Sequence, residues 1–70
     1  MTVSTPAEIG ALIRDERIRQ RLAQTDLAGL AGVGITFISQ LENGKESAEL
    51  GKVLGVLTIL GIDLIAERRA

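Results

Sequence analysis

The stretch that most constrains this chain is residues 24–45, where two short apolar patterns flank a corner bracketed by glycines. Apolar residues recur before the corner at Leu27, Ala28 and Leu30, and after it at Val33, Phe37, Ile38 and Leu41. These spacings place side chains on one side of an α-helix. Gly32 and Gly34 stand where a helix end commonly needs a positive φ or a close backbone approach. The pattern predicts two helices meeting at a corner, which is typical both of a plain αα-corner and of a helix-turn-helix unit.

The identity of the residues favours the second interpretation. The relevant positions read Leu22-x-Gln24-x-x-Leu27-Ala28-x-x-Ala31-Gly32-Val33, then Ile38-Ser39-x-Leu41-Glu42-Asn43-Gly44-Lys45. This arrangement resembles the phage-repressor and Cro-type (XRE) helix-turn-helix family, and residues 32–54 are most similar to its HipB-type antitoxins. The resemblance implies an all-α, lambda-repressor-like bundle of four to five short helices, with a C-terminal β-strand that pairs in a dimer.

Size and composition make self-association the expected source of extra stability. A single domain of 70 residues buries only about 60% of its unfolded surface, so its core is marginal. The chain has no cysteine and no histidine, which excludes disulfides and the usual zinc sites. We therefore expect no metal and no cofactor. An enzyme is disfavoured as well, because the usual nucleophile–base pairs need these residues.

The localisation expected is the bacterial cytoplasm, at an operator in the nucleoid. The longest apolar run is too short to cross a bilayer, and the N-terminus lacks the regions of a signal peptide. A net charge of −1 is unfavourable for a nucleic-acid binder, because phosphate contacts favour a basic domain. The local distribution of charge must therefore matter more than the total.

Capping signals divide the chain into an arm, a bundle and a tail. Residues 1–5 are predicted to be a flexible N-terminal arm, residues 6–61 the helix-turn-helix domain, and residues 62–70 a dimerisation strand and tail. Thr5 is the expected N-cap of the first helix, with Pro6 as its first residue and Glu8 completing a capping box. That helix is expected to run to about residue 21, and the fourth to begin at Ser47. The family usually places a capping Ser, Thr or Asn where this chain has Ala23.

The fourth helix and the tail together predict the dimer. Residues Leu50, Val53, Leu54, Leu57 and Leu60 form a helical stripe expected to face the core, and Val56 and Ile59 fall outside it. After Gly61 the period changes to the alternation of a short strand, for which the chain offers no internal partner. The predicted homodimer interface comprises Val56, Ile59, Ile62, Leu64 and Ile65. The strands of HipB-type antitoxins pair across a two-fold axis, and the resemblance implies the same here.

A polar face on the third helix predicts binding to double-stranded DNA at a palindromic operator. The residues expected at the DNA are Gln24, Thr25, Gly34, Ile35, Thr36, Ser39, Gln40, Asn43 and Lys45. Gln40 can bond adenine in a bidentate way, and Thr36 and Ile35 can contact a thymine methyl group. Gln24 occupies a position where the family uses a glutamine on a phosphate. Singly these are ordinary surface residues, and only their common face favours a DNA contact.

Two further expectations come from the resemblance. Repressor-type domains have an ion pair at the positions of Arg17 and Glu42, which implies a partly buried structural pair here. HipB-type antitoxins also bind and neutralise a HipA-like kinase toxin while repressing their own operon, which implies a toxin partner. The alternatives are a stand-alone phage-type repressor and a protein-interaction module that has lost operator binding.

Overall fold

The computed structural model describes residues 2–69, which form four α-helices and measure 41 × 24 × 17 Å. The helices are α1 (Pro6–Arg19), α2 (Gln24–Ala31), α3 (Ile35–Glu42) and α4 (Leu50–Leu60). Residues 62–69, called the tail below, are not helical, and no strand occurs among the described residues. The all-α prediction is confirmed, with four helices, but the predicted C-terminal strand is not formed in residues 62–69, because a strand needs a second strand to pair with. None of them is long and apolar enough to cross a bilayer.

Side-chain caps fix the start of α1 but not that of α2. Thr5 Oγ1 accepts a hydrogen bond from the Glu8 N–H at 3.1 Å, and the Glu8 carboxylate returns to the Ser4 N–H at 3.1 Å. The first bond satisfies a donor that the first helical turn leaves free, and the second holds the residue before the N-cap rather than the N-cap itself. At α2 the N-cap Ala23 has no side-chain acceptor, and the cap is limited to the Ala23 N–H, which donates to Asp26 Oδ2 at 2.8 Å.

The core lies where all four helices meet. Its buried members are Ile13 of α1, Leu27 and Ala28 of α2, Ile38 and Leu41 of α3, and Val53, Val56, Leu57 and Leu60 of α4. Leu30, which the sequence pattern assigned to the apolar side of α2, is instead 59% exposed. An eight-residue helix has room for only a narrow buried face, and the adjacent pair Leu27–Ala28 fills it.

The predicted inward face of α4 was wrong in part. Val56, assigned to the dimer interface, is fully buried within one chain, whereas Leu50 and Leu54 are exposed. The helix also begins at Leu50 rather than Ser47. Because α4 is apolar around most of its circumference, its spacing fits more than one inward face. Its packing against α1 and α2 selects the face that carries Val56, while Ile59 remains partly exposed.

The contact between α1 and the end of α3, called the α1–α3 junction below, brings two backbones very close. A Cβ on Gly10 would overlap the Leu41 carbonyl oxygen and lie 2.9 Å from that of Glu42. Gly44, just after α3, has a φ of +82°, and a Cβ there would lie 3.0 Å from the Cα of Ala7. Glycine is needed at both places, at the first for space and at the second for conformation as well.

Candidate nucleic-acid interface

Helices α2 and α3 are joined by a tight corner that exposes the start of α3. Gly32 has a φ of +69° and ends α2, and Gly34 is the extended N-cap of α3. The Val33 N–H donates to the Ala28 carbonyl at 3.0 Å, which closes the end of α2. Gly34 offers no side-chain acceptor, so the first N–H groups of α3 have no side-chain cap.

The outer face of α3 carries mostly small polar groups. Ile35, Thr36, Gln40 and Asn43 are exposed, and Ser39 is half-buried beside them. Ile38 and Leu41 hold the opposite side of the helix in the core. The predicted face therefore exists as one continuous surface. Its width and chemistry suit the major groove, which admits an α-helix and offers hydrogen-bonding edges and thymine methyl groups.

Two hydrogen bonds organise the C-terminal half of this face. Lys45 Nζ donates to Gln40 Oε1 at 3.1 Å, and Asn43 Nδ2 donates to the Ser39 carbonyl at 2.8 Å. The amide nitrogen of Gln40 remains free to donate, and its oxygen keeps a second lone pair. Nothing in the sequence spacing indicated the contact between Lys45 and Gln40, since the two residues lie on either side of the helix end.

Behind this face, Arg17 and Glu42 form a nearly enclosed ion pair across the α1–α3 junction. Arg17 Nε lies 2.6 Å from Glu42 Oε2, and Arg17 Nη2 lies 3.0 Å from Glu42 Oε1. The side chains are only 11% and 3% exposed. Arg17 Nη1 also donates to the Leu22 carbonyl at 2.7 Å, so one guanidinium joins α1, α3 and the connection before α2.

Gln24 completes this network from α2. Its Nε2 donates to Glu42 Oε1 at 3.1 Å, and its side chain is half-buried. The sequence analysis assigned Gln24 to a DNA phosphate alone, and the structure adds a contact inside the protein that sequence separation concealed. Thr25, the next residue, is exposed at the first turn of α2, beside the corner that leads to α3.

The network sets the charge state of Glu42. Burial acts to raise the pKa of its carboxyl group, but hydrogen bonds from Arg17 and Gln24 and the positive charges of Arg17 and Arg14 outweigh burial. The resulting pKa is below the ordinary value of 4.5. The same pairing raises the pKa of Arg17. Both groups are therefore ionised near neutral pH, and no buried side-chain polar atom in residues 2–69 lacks a partner.

Comparison with known sequences identifies relatives over nearly the whole chain. The model of the helix-turn-helix domain family matches residues 8–70. An uncharacterized HTH-type transcriptional regulator of Sinorhizobium fredii (strain NBRC 101917 / NGR234), y4mF, is 56% identical over 71 residues, covering 96% of this chain and 93% of that protein. The ImmF control region 10 kDa protein of Bacillus phage phi105 is 32% identical over 57 residues, covering 81% of this chain and 63% of that protein.

Solved structures with the same fold include several of HipB. Those named "HipB-O4 20mer complex" and "Structure of HipA-HipB-O2-O3 complex" each superpose with a TM-score of 0.88. Each covers 100% of this chain and 99% of its own, at 18% sequence identity. This likeness shows a common fold, and the sequence matches show descent. The chain belongs to the helix-turn-helix domain family.

Proposed function

We propose that this protein is a transcriptional repressor that binds a palindromic operator as a homodimer, with α3 of each chain in a major groove. The carrying observation is the exposed face of α3 around Gln40, supported from behind by a core and an ion pair that leave it in a fixed position. The relative y4mF, named as a transcriptional regulator, and the fold shared with HipB support the same class of function. Two-fold related half-sites would then lie one helical turn, about 34–36 Å, apart.

Within this proposal the residues divide into base readers and phosphate contacts. Gln40 is the main base reader, assisted by Thr36 and Ile35 at thymine methyl groups. Lys45 supports Gln40 through its hydrogen bond and adds a positive charge at the same edge. Thr25, Gly34, Ser39 and Asn43 flank these residues at the ends of the two helices. Gln24 reaches a phosphate while its amide also bonds Glu42, so it couples the DNA backbone to the ion pair.

Titration of labelled duplexes with three variants tests this division. Gln40→Ala should weaken operator binding by about 1–3 kcal/mol and relax preference at one base pair per half-site. Gln24→Ala should weaken operator and scrambled duplex together, because a phosphate contact carries no base identity. Thr58→Ala is the matched control. Its exposed hydroxyl bonds only to the Leu54 carbonyl within α4, so binding should be unchanged.

The outcome of these titrations also separates the repressor from a protein-interaction module. Since the chain carries a net charge of −1, few phosphates can be neutralised and the salt dependence should be shallow. Equal losses on both duplexes for Gln40→Ala would remove this residue from base reading. If the parent protein does not bind any upstream palindrome at low salt, the operator proposal fails.

A second role follows from the likeness to HipB, whose complexes include one with HipA. We propose that this chain also binds and neutralises a HipA-like kinase toxin encoded beside it. The test is to co-express the chain with the adjacent reading frame, and to measure complex formation and rescue of growth. A neighbouring gene unrelated to kinases, or a toxin whose effect this chain does not relieve, would leave a stand-alone repressor.

A further inference from the structure

The turn that follows α3 brings Lys45 back beside Gln40. Gly44 has a φ of +82°, and its N–H donates to the Leu41 carbonyl at 3.1 Å. The Lys45 N–H donates to the Gln40 carbonyl, also at 3.1 Å. Together these bonds form a Schellman motif, in which the residue after a left-handed glycine lies against the last turn of the helix. The backbone therefore holds Lys45 next to Gln40.

The two side chains use this closeness for a polar contact. An apolar contact frequently accompanies a Schellman motif, but here Lys45 Nζ donates to Gln40 Oε1 at 3.1 Å. Both residues are exposed. Lys45 forms no ion pair with any residue from 2 to 69. A positive charge thus lies at the oxygen end of the Gln40 amide, and no described carboxylate neutralises it.

This contact limits what the oxygen of Gln40 can accept from a base. A glutamine that binds adenine uses both ends of its amide, because the oxygen accepts from the N6 amino group and the nitrogen donates to N7. In this chain the oxygen already accepts from an ammonium group. The hydrogen atoms of a base amino group carry partial positive charge, so the ammonium repels them. Adenine is therefore disfavoured at Gln40.

The same contact places two hydrogen-bond donors side by side. Gln40 Nε2 has two N–H groups, and Lys45 Nζ keeps two N–H groups beyond the one that it gives to Gln40. Guanine is the base that offers two acceptors, N7 and O6, in the major groove. Adenine and thymine each offer one acceptor there, and cytosine presents its amino donor. A pair of donors therefore matches guanine.

We infer that Lys45 is a specificity-determining residue, which makes Gln40 a donor so that the two side chains together bind guanine rather than adenine. The inference rests on the operator binding in the proposed function and names the base that the C-terminal half of α3 selects. Gln40 Nε2 and Lys45 Nζ each donate to one of the two guanine acceptors. The sequence alone could not indicate this, because Gln40 considered singly could bond adenine.

Titration of paired duplexes tests the inference. Gln40→Ala first identifies the base pair whose preference it relaxes, and guanine or adenine is then placed there in one half-site. The parent should bind the guanine duplex about 5- to 150-fold more tightly. Lys45→Met frees the Gln40 oxygen and should shift the preference toward adenine. Lys52→Met is the matched control, because it removes an equal charge from an exposed site on α4 and should leave the preference for guanine unchanged.

Two further measurements leave Gln40 and the local charge intact. Lys45→Arg keeps both the charge and the donors, so it should retain the preference for guanine. With the parent protein, 7-deazaguanine at the selected position lacks the N7 acceptor and should weaken binding several-fold. Inosine keeps N7 and O6 and lacks only the minor-groove amino group, so it should bind like guanine. Urea unfolding of each variant checks that the fold is unchanged.

The outcomes separate this inference from the proposal on which it rests. A parent that binds no upstream palindrome overturns both. A parent that binds the operator but prefers adenine, or tolerates 7-deazaguanine fully, overturns the role of Lys45 alone. The same holds if Lys45→Met and Lys52→Met change the ratio of guanine to adenine binding equally, since Lys45 would then act only through its charge. If Gln40→Ala relaxes no base pair, the inference fails while operator binding stands.

Discussion

The α1–α3 junction and the tail represent opposite solutions to the problem of a small core. At the junction, Gly10 allows two backbones to touch, and the Arg17–Glu42 pair is enclosed with its hydrogen bonds satisfied within one chain. In the tail, Ile65 lies exposed, and the backbone after Ile62 makes no backbone hydrogen bond with any residue from 2 to 69. One region is complete in a single chain, and the proposed dimer would complete the other.

We therefore expect the junction to affect the folding of one chain and the tail to affect assembly of two. Variants at the junction should reduce the stability of the chain at any protein concentration. Variants in the tail should act mainly through association, because ligand or subunit binding adds to stability only when the partner is present. The face of α3 depends on the junction directly, since Glu42 ends that helix and Gln24 begins its neighbour.

The largest effect should come from breaking the enclosed ion pair. Glu42→Gln leaves the positive charge of Arg17 without its partner in a site where it is only 11% exposed. Removing one member of a buried pair costs about 3–5 kcal/mol, which is a large part of the stability of a small domain. Urea unfolding measures the loss. Glu16→Gln is the control, because its carboxylate pairs with the exposed Arg19 and accepts a surface hydrogen bond from Gln20, so the variant should unfold nearly like the parent.

The same carboxylate should make the junction sensitive to acid. The pKa of Glu42 is lower in the folded chain than its ordinary value of 4.5. Its stabilising contribution is therefore full above that ordinary value and is lost as the pH falls through the folded value. The stability difference between the parent and Glu42→Gln should shrink on acidification. A difference that stays constant from neutral pH to strong acid would contradict the ionised pair.

The close backbone contact should be the next most sensitive feature. Gly10→Ala places a methyl group against the carbonyls of Leu41 and Glu42, neither of which can rotate away. Overpacking of this kind costs about 1–3 kcal/mol. Gly29→Ala in α2 is the matched control, because nothing lies within 4 Å of its added Cβ. It should instead stabilise the chain by about 0.5–1 kcal/mol. Equal effects of the two changes would show that contact at Gly10 is unimportant.

The contribution of the tail to stability should depend on protein concentration. If folding and dimerisation are linked, the free energy of unfolding of the dimer should rise by about 1.4 kcal/mol for each tenfold increase in protein concentration. Deleting residues 62–70 should abolish that dependence. Leu64→Asp should do the same without removing Ile62 from the core. A truncated chain that remains a well-folded dimer would place the interface elsewhere.

The smallest change expected is a gain at the uncapped helix. Ala23→Ser supplies the acceptor that α2 lacks and completes the box begun by Asp26, which should add about 1 kcal/mol. Gly34→Ser at α3 should add only a few tenths, because glycine is already a tolerable N-cap. Neither change should alter the concentration dependence, so a shift in association would show that the two regions are coupled.

Local patterns predicted the helices well because their signals lie within one turn of the chain. Thr5, Pro6 and Glu8 specified the start of α1, and Gly32 and Gly61 end α2 and α4 with positive φ. The inward face of α4 was not predictable in the same way. Apolar residues surround much of that helix, so its spacing alone does not show which side is buried. Packing against the neighbouring helices buries Val56 and leaves Leu54 exposed.

The candidate interface likewise has one part that the sequence predicted and another that only the tertiary structure decided. Periodicity alone set Ile35, Thr36, Gln40 and Asn43 on the side of α3 away from Ile38 and Leu41, because that depends only on helix geometry. The contacts of Lys45 with Gln40 and of Gln24 with Glu42 join residues whose separation carries no periodic signal. The resemblance to repressors suggested the pairing of Arg17 with Glu42, but its burial depends on how closely α1 approaches α3. The sequence by itself determined where each helix lies along the chain, because those signals are local. Only the tertiary structure decided the contacts between helices, and Gly10 is what allows α1 to approach the end of α3 so closely.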